Sequence, residues 1–281
     1  MGVPTIKIAN ERGQVLNLST DPRYLPILTG TGPVAATINR SKMATADGTQ
    51  YNSGTVGERN LLLTIYLRRD VARARLNLYR YIVTNRPIRV YYQNDGLDVY
   101  IDGHVETADV DPWAREENMA VSIICPMPYW QDVAESYADA SHVAALFEFP
   151  FSIDSSGVEL STRDETRAAV VDNGGHVATG VTIELVATER SLNPRIYNLT
   201  TGEYMGFYVG MFAGDRLVVC TEDGKKSITR IRDGIETDDF NTIMEDSDWL
   251  KLVEGENEIT YTVDEGDMTL AIRYTNKYQG V

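Results

Sequence analysis

The sequence predicts a mainly β protein of two domains, and three observations carry that prediction. Segments of alternating apolar and polar residues recur along the chain, among them Met119–Cys125, Val181–Leu185 and Met268–Tyr274. Turn-forming clusters such as Asn94-Asp95-Gly96 and Glu222-Asp223-Gly224 stand between such segments. The stretch Ser122-Ile-Ile-Cys-Pro-Met-Pro-Tyr-Trp130 then marks a boundary. Two prolines two positions apart suit neither a helix interior nor a central strand, so a β-rich unit ends there, with Tyr129 and Trp130 expected over its end as a lid.

Length and charge agree with this division. A chain of 281 residues accommodates two ordinary domains or one large β domain. Residues 1–135 hold 14 Lys and Arg against 15 Asp and Glu, a net of −1, whereas residues 136–281 hold 12 against 26, a net of −14. The break fits domains 1–135 and 136–281 with different neighbours; an acidic half that is simply soluble is the plainer alternative. The overall net charge of −15 argues against general nucleic-acid binding, since phosphates call for a basic surface. No apolar run approaches the roughly 18 residues of a membrane helix. The first ten residues lack the apolar core of a signal peptide. Cys125 and Cys220 fit no metal spacing and are expected as buried thiols of a protein made in a reducing compartment.

In order along the chain, Gln14–Leu18 and Asn60–Leu67 have strand character, and the Gly-, Thr- and Ser-rich residues 29–57 between them predict a long loop or an extended hairpin. One helix is expected from about Val71 to Thr84, capped by Asp70 and stopped by Pro87, with Val71, Ala74, Leu78 and Ile82 as its apolar stripe. Around it, Arg68, Arg69, Arg73, Arg75, Arg80, Arg86 and Arg89 make seven arginines in 22 residues, opposed only by Asp70. Solvated surface, contact with acidic groups of another subunit, and nucleic-acid contact are the readings open to such a run; Arg suits bidentate interface pairing. Strands resume at Ile88–Tyr92, Leu97–Val105 and Met119–Cys125. Residues 131–145 read as a linker or a short helix, and from Phe147 onward short strands separated by turns predict a β-sandwich.

Little in the sequence carries chemistry. The histidines, His104, His142 and His176, show no zinc spacing and read as structural. No nucleophile elbow or phosphate-binding loop is present. Asp109-Val-Asp111 and Glu245-Asp-Ser-Asp248 lack the twelve-residue loop of a calcium site. The chain reads as an assembly part without catalysis, cofactor or metal.

The residues then reach a family. Gly103-His-Val-Glu106 followed by Ser122-Ile-Ile-Cys-Pro-Met-Pro-Tyr-Trp130 resembles the middle of siphophage distal tail proteins. Asn193-Pro-Arg-Ile-Tyr-Asn198, Thr200–Glu203, Gly214-Asp-Arg-Leu217, Ser247–Leu250, Gly255-Glu-Asn257 and Tyr274–Val281 resemble that family's C-terminal segments in the same order. The resemblance implies an N-terminal β-sandwich-like, ring-forming domain decorated by one helix and a long hairpin. It further implies a C-terminal jelly-roll or galectin-like β-sandwich projecting outward. Copies would close a homohexameric hub ring at the virion tail tip, after synthesis in the bacterial host cytoplasm. The ring would join tail tube or tail-terminating subunits to a tail-associated fibre or lysin protein and to receptor-binding or baseplate proteins. In that setting Arg68, Arg69, Arg73, Arg75 and Arg80 become subunit-interface candidates, and residues 29–57 an arm reaching the next subunit. The alternative is a carbohydrate-binding module for host wall saccharide, with Trp249 or Tyr204 stacking on sugar.

Overall fold

In the computed structural model, residues 3–94, 96–113, 116–139 and 168–281 are described, together with the backbone of 143–145 and 161–163. His142 and Phe147 lie outside the described residues. The chain forms two compact units, Met1–Ala134 with Lys277–Val281, and Glu135–Asn276. The last five residues, grouped with the second domain on sequence alone, therefore pack in the first.

The first unit contains strands β1 (Thr5–Asn10), β2 (Val15–Asn17), β3 (Tyr24–Thr29), β4 (Ala36–Lys42), β5 (Thr49–Val56) and β6 (Arg59–Leu67), then helix α1 (Val71–Leu78). Strands β7 (Pro87–Asn94), β8 (Leu97–Asp111), β9 (Asn118–Cys125) and β10 (Trp130–Asp132) complete its N-terminal part. All but β4 and β5 join one antiparallel sheet in the order β2-β1-β7-β8-β9-β6-β3, with β10 beside β8. Period-two alternation decides which face is buried: Leu61, Leu63, Ile65 and Leu67 of β6 meet Met119, Val121, Ile123 and Cys125 of β9 in one core. Among the described residues, strands β4 and β5 pair only with each other, and every residue in them is exposed. The hairpin alternative for residues 29–57 is thus the one adopted.

Helix α1 is shorter than its apolar stripe predicts. Ala74, Leu78 and Ile82 are all buried, but the α-helix ends at Leu78 and Ile82 sits in the turns that follow. The β-branched run Ile82-Val-Thr84 favours helix weakly, and Asn85 adopts φ +62, so the chain turns before Pro87. Asp70 makes no side-chain cap; its backbone is left-handed, at φ 45 and ψ 49. Tyr24 holds the helix in place, its hydroxyl donating to the Ala74 carbonyl at 3.1 Å and accepting from Asn77 at 3.1 Å.

The motif Gly103–Glu106 and the stretch Ser122–Trp130 are neighbours. Val105 faces Ile123 across the β8–β9 ladder, and a bulge follows before Thr107 faces Ser122. Ser122 Oγ donates to Glu106 Oε2 at 2.8 Å. A Cβ on Gly103 would lie 2.6 Å from Ile123 Cγ2 and 2.8 Å from Cys125 Sγ, so only glycine fits beneath these two side chains. After the prolines, Trp130 is not a lid: it is wholly buried in the core, its ring 6.0 Å from that of Tyr92. Residues 130–132 continue as β10, and 136–139 form a strand rather than a helix.

The second unit opens with β11 (Ser136–Asp139), β12 (Val143–Ala145), β13 (Ser161–Arg163), β14 (Ala168–Asn173), β15 (Thr179–Ala187) and β16 (Ser191–Leu192). It continues through β17 (Arg195–Asn198), β18 (Glu203–Gly206), β19 (Gly210–Met211), β20 (Arg216–Cys220), β21 (Ser227–Arg232) and β22 (Ile235–Asp238). It closes with β23 (Lys251–Leu252), β24 (Gly255–Thr262) and β25 (Met268–Tyr274). Two sheets, β11-β25-β15-β20-β21-β22 and β14-β24-β17-β18, place their inward residues in a single core. This is the β-sandwich expected of the second half. Strands β20 and β21 form the hairpin expected around Glu222–Gly224, whereas β24 and β25, consecutive in sequence, lie in opposite sheets. The chain then re-enters the first unit as β26 (Lys277–Tyr278), which pairs with β10.

Candidate assembly surfaces

The arginine-rich segment divides into paired and unpaired cations. Arg75 Nη1 lies 2.7 Å from Glu117 Oε1, with both side chains half-buried or better. Arg68 reaches Glu116 at 3.8 Å, Arg86 reaches Glu11 at 3.4 Å, and Arg89 pairs with Asp102 at 2.6 Å while lying 4.0 Å from the Tyr100 ring centre. The Asp102 carboxylate holds the Arg89 guanidinium above its usual pKa. Arg69, Arg73 and Arg80 are exposed and form no ion pair with a described residue. Arg75, one of the arginines expected to face another subunit, is thus already neutralised within its own chain. Arg80 instead joins Arg12, which lies far off in the sequence. Both line a cleft of about 420 Å³ with Asn10, Glu11, Tyr81 and Arg86. Sequence reasoning missed Arg12, because only the β1–β7 pairing, Asn10 opposite Ile88, brings the two segments together.

The β4–β5 ribbon is the second surface. A two-stranded ribbon without a third strand or a helix is at best marginally stable in water. Its braces are few: Asn39 donates to Ser53 at 3.0 Å and Ser41 to Asn52 at 3.1 Å. Ile38 and Tyr51 are 51% and 64% exposed and converge over Gly54, where an added Cβ would lie 3.4 Å from Ile38 Cδ1 and 3.1 Å from Tyr51 Oη. The ribbon therefore presents apolar side chains with no core of their own to enter.

At the root of the ribbon lies a buried cation. Arg59 is 1% exposed and has no carboxylate partner among the described residues. Its guanidinium donates to the carbonyls of Pro128, Gly30 and Gly32, each at 2.7 Å, and of Gln279 at 2.6 Å. Burial draws its pKa below the usual arginine value, and the carbonyl dipoles compensate the charge in place of an anion.

In the second unit the sequence motifs prove to be internal braces. Asn198 donates to Asn257 at 3.2 Å with both fully buried, and Asn257 donates onward to the carbonyls of Val253 and Gly255. Asp215 is almost fully buried, accepts from the Phe212 amide at 2.8 Å and pairs with Arg232 at 2.6 Å, which holds its carboxyl below the usual aspartate range. The two saccharide candidates are both engaged within the chain. Trp249 stacks on Phe240 with ring centres 5.6 Å apart and has Lys226 Nζ 5.0 Å from its ring centre; Tyr204 stacks on Tyr197 at 5.7 Å. Burial pushes the Cys125 thiol up to about 12, so it is inert near neutrality. Among the described residues no group of three or more His, Cys, Asp or Glu is placed to hold a metal. Nor is any helix among the described residues long and apolar enough to cross a membrane.

These features define a mainly β scaffold with an exposed two-stranded ribbon and no assembled catalytic cluster among the described residues. Residues 174–278 match the family described as siphovirus-type tail component, C-terminal domain. The whole chain has the fold of the phage SPP1 Dit protein, described as a paradigm of the hub adsorption apparatus in phages infecting Gram-positive bacteria. Its TM-score is 0.71 at 15% identity, over 98% of this chain and 99% of that one. Chains of the phage P2 baseplate in its activated conformation, with Ca and with Sr, also match along the full length of both partners. Their TM-scores are 0.56 and 0.54, at 9% and 10% identity. Among curated protein sequences nothing matches. The resemblance to siphophage distal tail proteins, read from the Gly103–Trp130 motifs and from the C-terminal segments between Asn193 and Val281, is borne out.

Proposed function

We propose that this protein is a structural hub of a siphophage tail tip, working by self-association rather than catalysis. The observation that carries the reading is the end-to-end fold likeness to SPP1 Dit, both units included. In this reading the first units of six copies close a ring, and the ribbon 29–57 of each reaches its neighbour. The exposed Arg69, Arg73 and Arg80 meet acidic groups across the junction, together with Arg12, which shares a cleft with Arg80. The second unit, with most of the negative charge, projects as the docking domain for baseplate or receptor-binding proteins. One face of the ring meets tail tube or terminating subunits, and the other the tail-associated fibre or lysin protein. Isolated charges and a ribbon without a core are the features a subunit junction would satisfy.

The test is the mass of the purified protein by light scattering together with negative-stain images. A six-lobed annulus is expected. A monomer at all concentrations up to the micromolar range, with no annulus, overturns the reading.

A further inference from the structure

Arg59 joins three parts of the first unit that the sequence keeps far apart. Gly30 and Gly32, whose carbonyls it binds, connect β3 to the ribbon. Pro128 is the second proline of the boundary stretch, and Gln279 belongs to the last five residues. Close packing reinforces this junction. Val281 N donates to the Thr31 carbonyl at 3.1 Å. A Cβ on Gly280 would lie 3.0 Å from Thr31 O and 3.1 Å from Gly32 Cα, so residues 279–281 lie directly against the ribbon root. Gly30 itself has φ +83, and a Cβ there would stand 2.4 Å from Asn60 O. The root is therefore clamped from two sides, by β6 and by the final residues.

We infer that Arg59 is the positioning residue of the ribbon: through the seated residues 279–281 it sets the direction in which the ribbon leaves the sheet, and so whether the ribbon can engage a neighbouring copy. The physical reason is the fork. Five N–H donors held in one plane fix four carbonyls relative to one another, whereas hydrophobic contacts at the same place would permit sliding. The ribbon has no packing of its own to fix its direction, so its aim depends on its root. This inference rests on the reading of the ribbon as the arm between copies, and its test separates the two.

The experiment uses the full chain with Cys220→Ser, carrying one spin label on the ribbon turn at Thr45→Cys and one on the sheet at Asp98→Cys, diluted with unlabelled protein. Pulsed electron resonance then reads the distance distribution, and light scattering reads self-association. Arg59→Met removes the fork, Arg59→Lys keeps a charge with fewer donors, and Gly280→Val displaces the final residues while leaving Arg59 intact. The expected result is a broadened distance distribution in Arg59→Met and Gly280→Val, with association weakened about tenfold or more. Arg59→Lys is expected in between, and a first-unit unfolding transition that stays well above the temperature of the measurement in every variant shows that unfolding is not the cause. An unchanged distribution, or unchanged association in variants whose distribution has broadened, overturns the inference. If the parent chain itself does not associate, the hub reading falls, and the distance distribution still decides whether Arg59 aims the ribbon.

Discussion

Arg75 Nη1 stands 2.7 Å from Glu117 Oε1, so the helix that carries the densest arginine run is pinned to the β8–β9 hairpin of its own chain. The pair separates arginines engaged within the chain from Arg69, Arg73 and Arg80, which form no ion pair with a described residue. Reversing Arg75 to Glu places like charges together in a half-buried site and is expected to lower stability by about 1–2 kcal/mol, read by urea denaturation. Reversing Arg73 and Arg80 together is expected to leave stability within about 0.5 kcal/mol of the parent while shifting light scattering toward monomer. Equal effects of both sets on folding would contradict the division.

The ribbon is expected to be dispensable for folding. Its strands place no residue in the core, so deleting residues 44–54 should leave the denaturation midpoint unchanged. The same deletion is expected to abolish annuli in negative stain, and intact annuli without the segment would remove it from the junction.

The Asp215–Arg232 pair predicts a pH dependence with a definite sign. The folded carboxyl titrates below its ordinary value, so its stabilising contribution is full above about pH 4 and is lost as pH falls through the depressed folded value. Asp215→Asn is expected to cost about 1–3 kcal/mol at pH 7, because it leaves Arg232 and the Phe212 amide poorly matched. The gap between variant and parent, followed by denaturation at stepped pH, should close below about pH 4.

Gly103 tests the packing that joins the two halves of the family motif. Gly103→Ala forces a methyl group against Ile123, Cys125 and the Ile124 carbonyl, so a loss of about 1–3 kcal/mol is expected by denaturant titration. A neutral substitution would mean that the sheet shifts freely there.

Thiol reactivity should separate the two cysteines. Cys125 is buried, with its pKa raised to about 12, whereas Cys220 is half-exposed. A thiol reagent at pH 7.5 is expected to label one cysteine in the native chain, Cys220, and two after unfolding. Rapid labelling of Cys125 in the native state would show that the β8–β9 core opens.

Much of the fold is legible in local pattern. The alternation in β6, β9, β15 and β25 reads directly as strands, because successive side chains point to opposite faces and only one face is buried. The helix stripe Ala74, Leu78 and Ile82 is likewise correct as a burial pattern, though not as a measure of helix length: the helix stops at Leu78, and Ile82 is buried from the turns that follow. Strands β1 and β3 were missed: β1 lies in a segment read only for a signal peptide, and β3 carries Pro26, which is tolerated because β3 is a sheet edge.

What the sequence determined alone is the class of the molecule: two β-rich units, a charge break between halves, and motifs whose order matches a tail component. Which cations are free was decided only by tertiary structure. Arg75 met Glu117 across 42 positions, Arg80 met Arg12 in one cleft, and Arg59 met Gln279 across 220 positions. Periodicity is a property of neighbours along the chain, whereas charge pairing depends on strand register and chain return, and these are set by packing of the whole core.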